Sequence, residues 1–350
     1  MVSVVMSVFN GERFLREAVE SVLEQTFREF EFIVVDDGST DQSASILDSY
    51  RKSDARVRVY HQENKGLIES LNRGCSLAQG KYIARMDADD IAVRERLMWQ
   101  VDFMEKHPQV AVLGGAVEWI DATGKSLGTH NTPVADCEIK SELLHRNVFW
   151  HPTVIMLREG FVSSGGYRKV VVDAEDYDLW LRIADRCQLA NLETVVLKYR
   201  IHPFQVSMSK RRQQTLCKLA AQASASLRRN GTPDPLEAVK EITPAVLAEL
   251  GVTEARQQSV LASDWRNWIR NMCLAGEYSV ALKAADGMLQ SDLQYVERWQ
   301  IADLYLIIAR LYWRQKRLLK SFLAAVRAVM TRPVVAGRPL KLLLRRLGLA

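Results

Sequence analysis

The chain has 350 residues, 48% of them apolar and 25% charged, with a formal net charge of +5. That length is one large domain or two ordinary ones, and the composition excludes a mainly disordered, collagen-like or mucin-like chain. The charge is unevenly spread: residues 304–350 carry 11 Lys and Arg and no acid, while the first 303 residues carry 36 basic against 42 acidic side chains.

Residues 2–8 (VSVVMSV) read as a buried strand rather than as a signal peptide, because no basic segment precedes them and no cleavage site follows. Asn10-Gly11 turns the chain, and Phe14, Leu15, Ala18, Val19, Val22 and Leu23 recur at helical spacing. A second strand covers 30–36 and ends at Asp36-Asp37-Gly38-Ser39-Thr40. A helix follows from Asp41 to about Lys52, then a strand at 56–60, a turn at Asn64-Lys65-Gly66, a helix at 67–78 and a strand at 81–86. This alternation calls for an α/β fold with a mostly parallel sheet and helices on its faces, and places ligands at the carboxyl ends of the strands.

A helix is expected at 94–107, a strand at 110–120, a turn at 121–124, a short strand at 153–157, a helix at about 175–184 and a last strand at 195–201. Beyond about Ser207 no good strand is found. Residues 208–229, 236–250, 254–275, 277–290 and 295–330 read as helices, with a domain boundary near 208–232. The five cysteines (75, 137, 187, 217 and 273) form no C-x-x-C pair and read as reduced thiols of a cytoplasmic compartment. No run of 18 apolar residues exists, so a spanning helix is not expected.

Four clusters carry chemistry. Asp87-Ala88-Asp89-Asp90 packs three carboxylates into four residues at a strand end. A divalent cation would remove their mutual repulsion, and an N-cap cluster before Arg94 would equally explain them. Asp36 and Asp37 end a strand where a carboxylate can accept from a nucleotide base or ribose, although a turn capped by Asp41 needs the same residues. Asp173-Ala174-Glu175-Asp176-Tyr177-Asp178 opens a helix, which suits the macrodipole or supplies a carboxylate base. Arg200 and His202 leave the last strand, either as diphosphate ligands or as a surface loop. His151-Pro152-Thr153 reads as structural or as a rim. Gly124-Lys125-Ser126 is no phosphate loop, since the glycine required five positions earlier is Trp119.

In this order and spacing, the stretches VSVVMSVFNGERFLREAVESVLEQTFREFEFIVVDDGSTD, ENKGLIESLNRGCSLAQGKYIARMDADD, HPTVIM, GGYRK, AEDYDLWLR and YRIHPFQVS resemble the family 2 glycosyltransferases. The resemblance covers about residues 2–210. It implies a GT-A fold, Rossmann-like, for a domain at 1–210; the all-α region that follows, taken as a second domain at 211–350, matches no pattern of the family. The resemblance implies an inverting transfer from a nucleotide-sugar, UDP-linked, with Asp36 at the base; Asp37, next to it in the same cluster, is taken as a further nucleotide-binding residue. Asp87 and Asp89 would hold Mg²⁺ or Mn²⁺ and the diphosphate, with Arg200 and His202 nearby, and Asp176 would be the catalytic base. Processive members carry Gln-x-x-Arg-Trp and several membrane spans. This chain has neither, so it looks like an enzyme adding one sugar to a glycan or lipid-linked glycan acceptor in surface polysaccharide synthesis. A non-catalytic nucleotide-sugar-binding protein and a sugar nucleotidyltransferase are the competing readings, and no nucleic-acid partner is expected. In residues 338–350, Leu340, Leu343, Leu344 and Leu347 form one helical stripe flanked by cations. That pattern suggests peripheral attachment to an anionic membrane surface, on the inner face of the cell membrane.

Overall fold

The computed structural model describes residues 1–203, 208–290 and 294–336. The basic segment 338–350 therefore lies outside the described residues, as do 204–207. The chain opens with β1 (Val2–Val8), α1 (Glu12–Leu23), β2 (Phe30–Asp36), α2 (Ser43–Ser53), β3 (Val57–His61), α3 (Leu67–Leu77) and β4 (Tyr82–Met86). It continues through β5 (Ile91–Ala92), α4 (Arg96–Lys106), β6 (Val110–Ile120), β7 (Ser126–His130), α5 (Asp136–Leu143), β8 (Ile155–Leu157), α6 (Arg158–Ser163), α7 (Glu175–Ala184) and β9 (Gln188–Arg200).

These strands form one sheet in the order β3-β2-β1-β4-β8-β6-β9-β5, with β7 paired to β6. The first four are parallel, as strands joined by crossover helices must be. From β8 onward the sheet is mixed: β8 runs antiparallel to β4 and β6, while β6 and β9 run parallel. All of β2 and nearly all of β1 are buried, the pattern of strands covered on both faces. Their one polar pair is closed internally, with Ser3 Oγ donating to Glu31 at 2.7 Å and Arg58 to the other Glu31 oxygen at 2.6 Å. Val5, Ile33 and Ile83 pack with Ile68, Leu71 and Cys75 of α3. Gly74 permits that contact, since a Cβ there would meet Val5 Cγ1 at 2.6 Å.

Several elements depart from expectation. The last strand is longer than 195–201, starting at Gln188, because its whole length is paired along β6. The stretch after the turn expected at 121–124, to which no element is assigned before 153, contains β7 and α5; Gly124-Lys125 lies in the hairpin turn that leads into β7 at Ser126, with Gly124 at φ 85° and Asp121 accepting from the Thr123 and Lys125 amides. The region read as one helix at 295–330 is two.

After β9 come α8 (Met208–Arg229), α9 (Pro244–Glu249), α10 (Glu254–Leu274), α11 (Tyr278–Leu289), α12 (Arg298–Arg314) and α13 (Leu318–Thr331). No strand occurs there among the described residues. A capping box between Glu297 and Gln300 starts α12, and Lys316, at φ 60°, breaks the chain between α12 and α13. Pro244 opens α9, so the helix expected over 236–250 is confined to its second half.

Two compact units emerge: Met1–Arg200 with Cys217–Thr243, and Ile201–Leu216 with the residues from Pro244 on. Residues 217–243 belong to the first because Gln222 donates to Tyr177 Oη at 2.9 Å and to the His145 carbonyl at 2.8 Å, and Arg168 reaches Asp234 at 2.8 Å. No helix among the described residues is long and apolar enough to cross a membrane.

Candidate active site

Strand ends deliver the acids. Where β2 stops, Asp36 Oδ1 accepts from the Ser39 amide at 3.1 Å and Oδ2 from His61 Nδ1 at 2.8 Å. The other ring nitrogen of His61 lies 3.2 Å from Asp48, so carboxylates face both nitrogens and hold the imidazole above its usual pKa, Asp36 most of all. Asp37 accepts from Gln62 Nε2 at 2.7 Å and from the Lys65 and Gly66 amides, each at 2.8 Å, and so ties the turn before α3. Gly38 makes this turn possible: it sits at φ 76°, and a Cβ would lie 2.8 Å from the Asn64 amide nitrogen.

β4 delivers the second cluster. Oxygen atoms of Asp87, Asp89 and Asp90 all lie within 4.8 Å of one another. Burial pushes both Asp87 and Asp90 above the ordinary carboxylate range. At Asp87, buried Arg85 opposes the shift while Asp89 adds to it; at Asp90, Asp89 and Asp87 add to it. Arg85 donates to Asp87 Oδ1 at 2.6 Å. Asp90 Oδ1 accepts from the Arg200 amide at 2.8 Å, whereas its buried Oδ2 has no hydrogen-bond partner. Crowded hard oxygens with an orphaned lone pair fit Mg²⁺ or Mn²⁺, whose charge relieves the repulsion.

Arg200 braces this loop. Its Nε donates to the Asp89 carbonyl at 2.7 Å, one terminal nitrogen to Glu17 at 2.6 Å, and the other reaches the Asp121 and Ala122 carbonyls, each at 3.4 Å. The guanidinium also covers the Phe14 ring, 4.4 Å from its centroid, and the side chain is 1% exposed. His202 is buried and falls in the second compact unit.

The third cluster opens α7, after Asp173 turns the chain at φ 61°. Asp178 is fully engaged by Arg168 and Arg182. Asp176 accepts from Asn147 Nδ2 at 2.9 Å and from the Tyr177 amide at 2.6 Å, yet burial lifts its pKa to about 6. Arg85 lowers it and Asp87 raises it, so the two acidic clusters share one electrostatic neighbourhood with Arg85 in it. Glu175 is 4% exposed, its Oε2 has no partner, and burial followed by Asp176 lifts its pKa to about 8. The folded protein therefore keeps a proton on Glu175 up to about pH 8, which the unfolded chain loses near ~4.3. Between those values the native state binds more protons, so Glu175 lowers stability as pH rises. Glu175→Gln is expected to be more stable than wild type at pH 8, by on the order of 4 kcal/mol, and to melt higher there, with the gain shrinking toward pH 5. A lower melting temperature at pH 8 would mean that the carboxylate is ionised and paired.

An aromatic group stands beside the acids. Trp119 stacks on His130 at 3.6 Å between centroids, and Trp150 meets Trp119 edge-on at 5.8 Å and Tyr199 at 5.2 Å. Burial, then Asp90, Asp87 and Asp89, hold the Tyr199 hydroxyl far above its ordinary pKa, which fixes the group's place next to the acidic loop. His151 follows Trp150 and is structural: Nε2 lies 2.9 Å from Tyr167 Oη, and burial keeps the ring neutral.

Sequence reasoning missed Arg85, Asn147 and His61. Arg85 left a signal, a cation inside an apolar strand that needs acids nearby. Asn147 left none, since its partner Asp176 is distant in sequence.

The sequence profile of glycosyl transferase family 2 matches residues 3–160. An uncharacterized glycosyltransferase of Haemophilus influenzae is 34% identical over 219 residues, 59% of this chain and 67% of that protein. The O-antigen biosynthesis glycosyltransferase WbnJ of Escherichia coli is 32% identical over 206 residues, 58% of this chain and 80% of that one. Among solved structures, residues 1–349 of S. aureus TarS in complex with UDP-GlcNAc superpose with a TM-score of 0.54 at 19% identity, covering 93% of this chain and 90% of that chain. The mannosyltransferase PcManGT from Pyrobaculum calidifontis, in complex with GDP-Man and Mn²⁺, gives 0.51 at 16%, covering 95% and 87%. At such identities the two structures show the fold. With the parallel half-sheet, the acids at its strand ends and the sequence relatives together, the chain is a family 2 glycosyltransferase with the GT-A fold.

Proposed function

We propose that this glycosyltransferase is an inverting, metal-dependent, non-processive enzyme that moves one sugar from a UDP-sugar to a glycan or lipid-linked glycan in surface polysaccharide synthesis. The observation that carries the reading is that Asp176 shares one electrostatic neighbourhood with Asp87 and with buried Arg85, which donates to Asp87: a base beside an anion-neutralising centre. Asp36 with His61 takes the nucleotide base, while Asp37 holds the turn beneath it and Arg200 keeps the acidic loop in place.

Asp176 accepts the proton of an acceptor hydroxyl as that oxygen bonds to the sugar C1. The bond from C1 to the diphosphate oxygen breaks on the opposite face, its electron pair leaves with UDP, and the anomeric centre inverts. Asp87 and Asp89 would hold a divalent cation, which would supply charge neutralisation for the departing diphosphate. The aromatic group around Trp150 offers an apolar wall to the acceptor sugar. A UDP donor is supported by the bound UDP-GlcNAc of the TarS structure, a cation by the Mn²⁺ of PcManGT, and a glycan acceptor by the O-antigen relative. A lipid-linked acceptor would place the enzyme in the cytoplasm against the inner membrane face, with 338–350 as its basic attachment segment.

A nucleotidyltransferase would need free amides after β1 to cradle a triphosphate. Here the Asn10, Gly11 and Glu12 amides already donate to Ser39 Oγ (3.0 Å), Ser43 Oγ (2.9 Å) and Asp41 Oδ2 (3.0 Å). The test is incubation with a panel of UDP-, dTDP- and GDP-sugars and Mn²⁺, followed by detection of the released nucleotide. UDP from a UDP-sugar, lost on chelation, is expected. Pyrophosphate release, or donor binding with no release at all, would overturn the reading.

A further inference from the structure

α13 is arranged inside out for a surface helix. The face it buries is small: Ser321, Ala324 and Ala328, with Ser321 Oγ donating to the Ala309 carbonyl of α12 at 2.7 Å. Its bulky apolar side chains stand in solvent, with Leu319 71%, Phe322 65%, Leu323 50% and Met330 78% exposed and Val326 between them at 36%. Positions 319, 322, 323, 326 and 330 fall on one helical stripe. Scattered exposed leucines need no explanation, but a continuous stripe about three turns long does.

Charge selects what covers it. Lys320 and Arg327 flank the stripe, Arg317 and Arg332 lie at its ends, all four are exposed, and no acid follows Asp303 in the chain. A second copy of this helix laid on the first would set cations against cations. Residues 337–350 folded back would do the same, since they add Arg338, Lys341, Arg345 and Arg346. A polyanion such as nucleic acid would meet the cations and leave the apolar stripe bare. An anionic lipid surface satisfies both, with acyl chains for the stripe and headgroups for the flanking cations.

We infer that the exposed face of α13 is a docking surface for an anionic lipid bilayer, on which the helix lies flat. The inference deepens the lipid-linked reading of the acceptor. It stands apart from the chemistry, because vesicle binding is measured without donor or acceptor.

The experiment is co-sedimentation of the full chain with vesicles of phosphatidylcholine alone and with phosphatidylglycerol added. Leu319→Ser/Phe322→Ser/Met330→Ser and Lys320→Glu/Arg327→Glu are compared with wild type, and thermal melting and UDP release confirm that each variant folds. Wild type is expected to prefer the anionic vesicles by about tenfold or more. The charge reversals should erase that preference, and the serine variant should lose binding on both lipids. Wild-type binding by the folded serine variant would overturn the inference. So would absence of vesicle binding by wild type, or a wild-type dimer in sedimentation velocity that the serine variant dissociates, which would assign the stripe to a second copy.

Discussion

Asp176→Asn is expected to bind donor as wild type does and to transfer sugar 10²–10⁴-fold more slowly, the usual loss for a positioned base. The amide keeps the shape of the carboxylate and leaves Asn147 and the Tyr177 amide in reach, so the helix start should survive; what disappears is proton affinity. The wild-type pH profile carries the same signature. A pKa lifted to about 6 means that the base is ionised above that value and idle below it, so kcat/KM should rise through pH 6 and the limb should vanish in the variant. Transfer within a few-fold of wild type would move the base elsewhere. Asp178 is a poor substitute, being held by two arginines, which leaves Glu175 as the next to test.

Asp89→Ala should cost at least ~10²-fold in metal-dependent turnover, equivalent to about 3 kcal/mol of lost stabilisation at the departing diphosphate. The substitution keeps the Asp89 carbonyl, through which Arg200 Nε holds this loop. Asp90→Ala would be ambiguous, since the Asp90 carboxylate receives the Arg200 amide. The checks are turnover against Mn²⁺ concentration and an unchanged melting temperature without metal. Normal turnover at ordinary Mn²⁺ would remove Asp89 from the cation site.

Much of the first half of the chain was legible from sequence. The runs at 2–8, 30–36 and 81–86 are too short and too continuously apolar for surface helices, and each ends in residues that stop a strand. Acids at such ends stand where α/β sheets bind ligands. What stayed hidden depends on distant partners. β7 reads Ser-Leu-Gly-Thr-His, a mostly exposed edge without alternation, and it exists as a strand because β6 is beside it. β5 has two residues and is defined by β9. The break at Lys316 falls in a stretch whose helical spacing continues on both sides. Arg200 at a strand end looks the same in sequence whether it grips a ligand or braces a loop; only Glu17 and the Asp89 carbonyl, both far away in the chain, tell the two apart.

The grip of Arg200 also bears on how such an enzyme diversifies. Its guanidinium reaches the hairpin between β6 and β7 through the main-chain carbonyls of Asp121 and Ala122. Every residue type except proline's missing amide offers the same main chain, and even proline keeps its carbonyl. The grip therefore survives side-chain replacement at Ala122, whereas Asp121, whose carboxylate accepts the Thr123 and Lys125 amides, and Gly124, at φ 85°, stay constrained, so the hairpin that carries Trp119 and His130 can vary only in part without loosening the acidic loop.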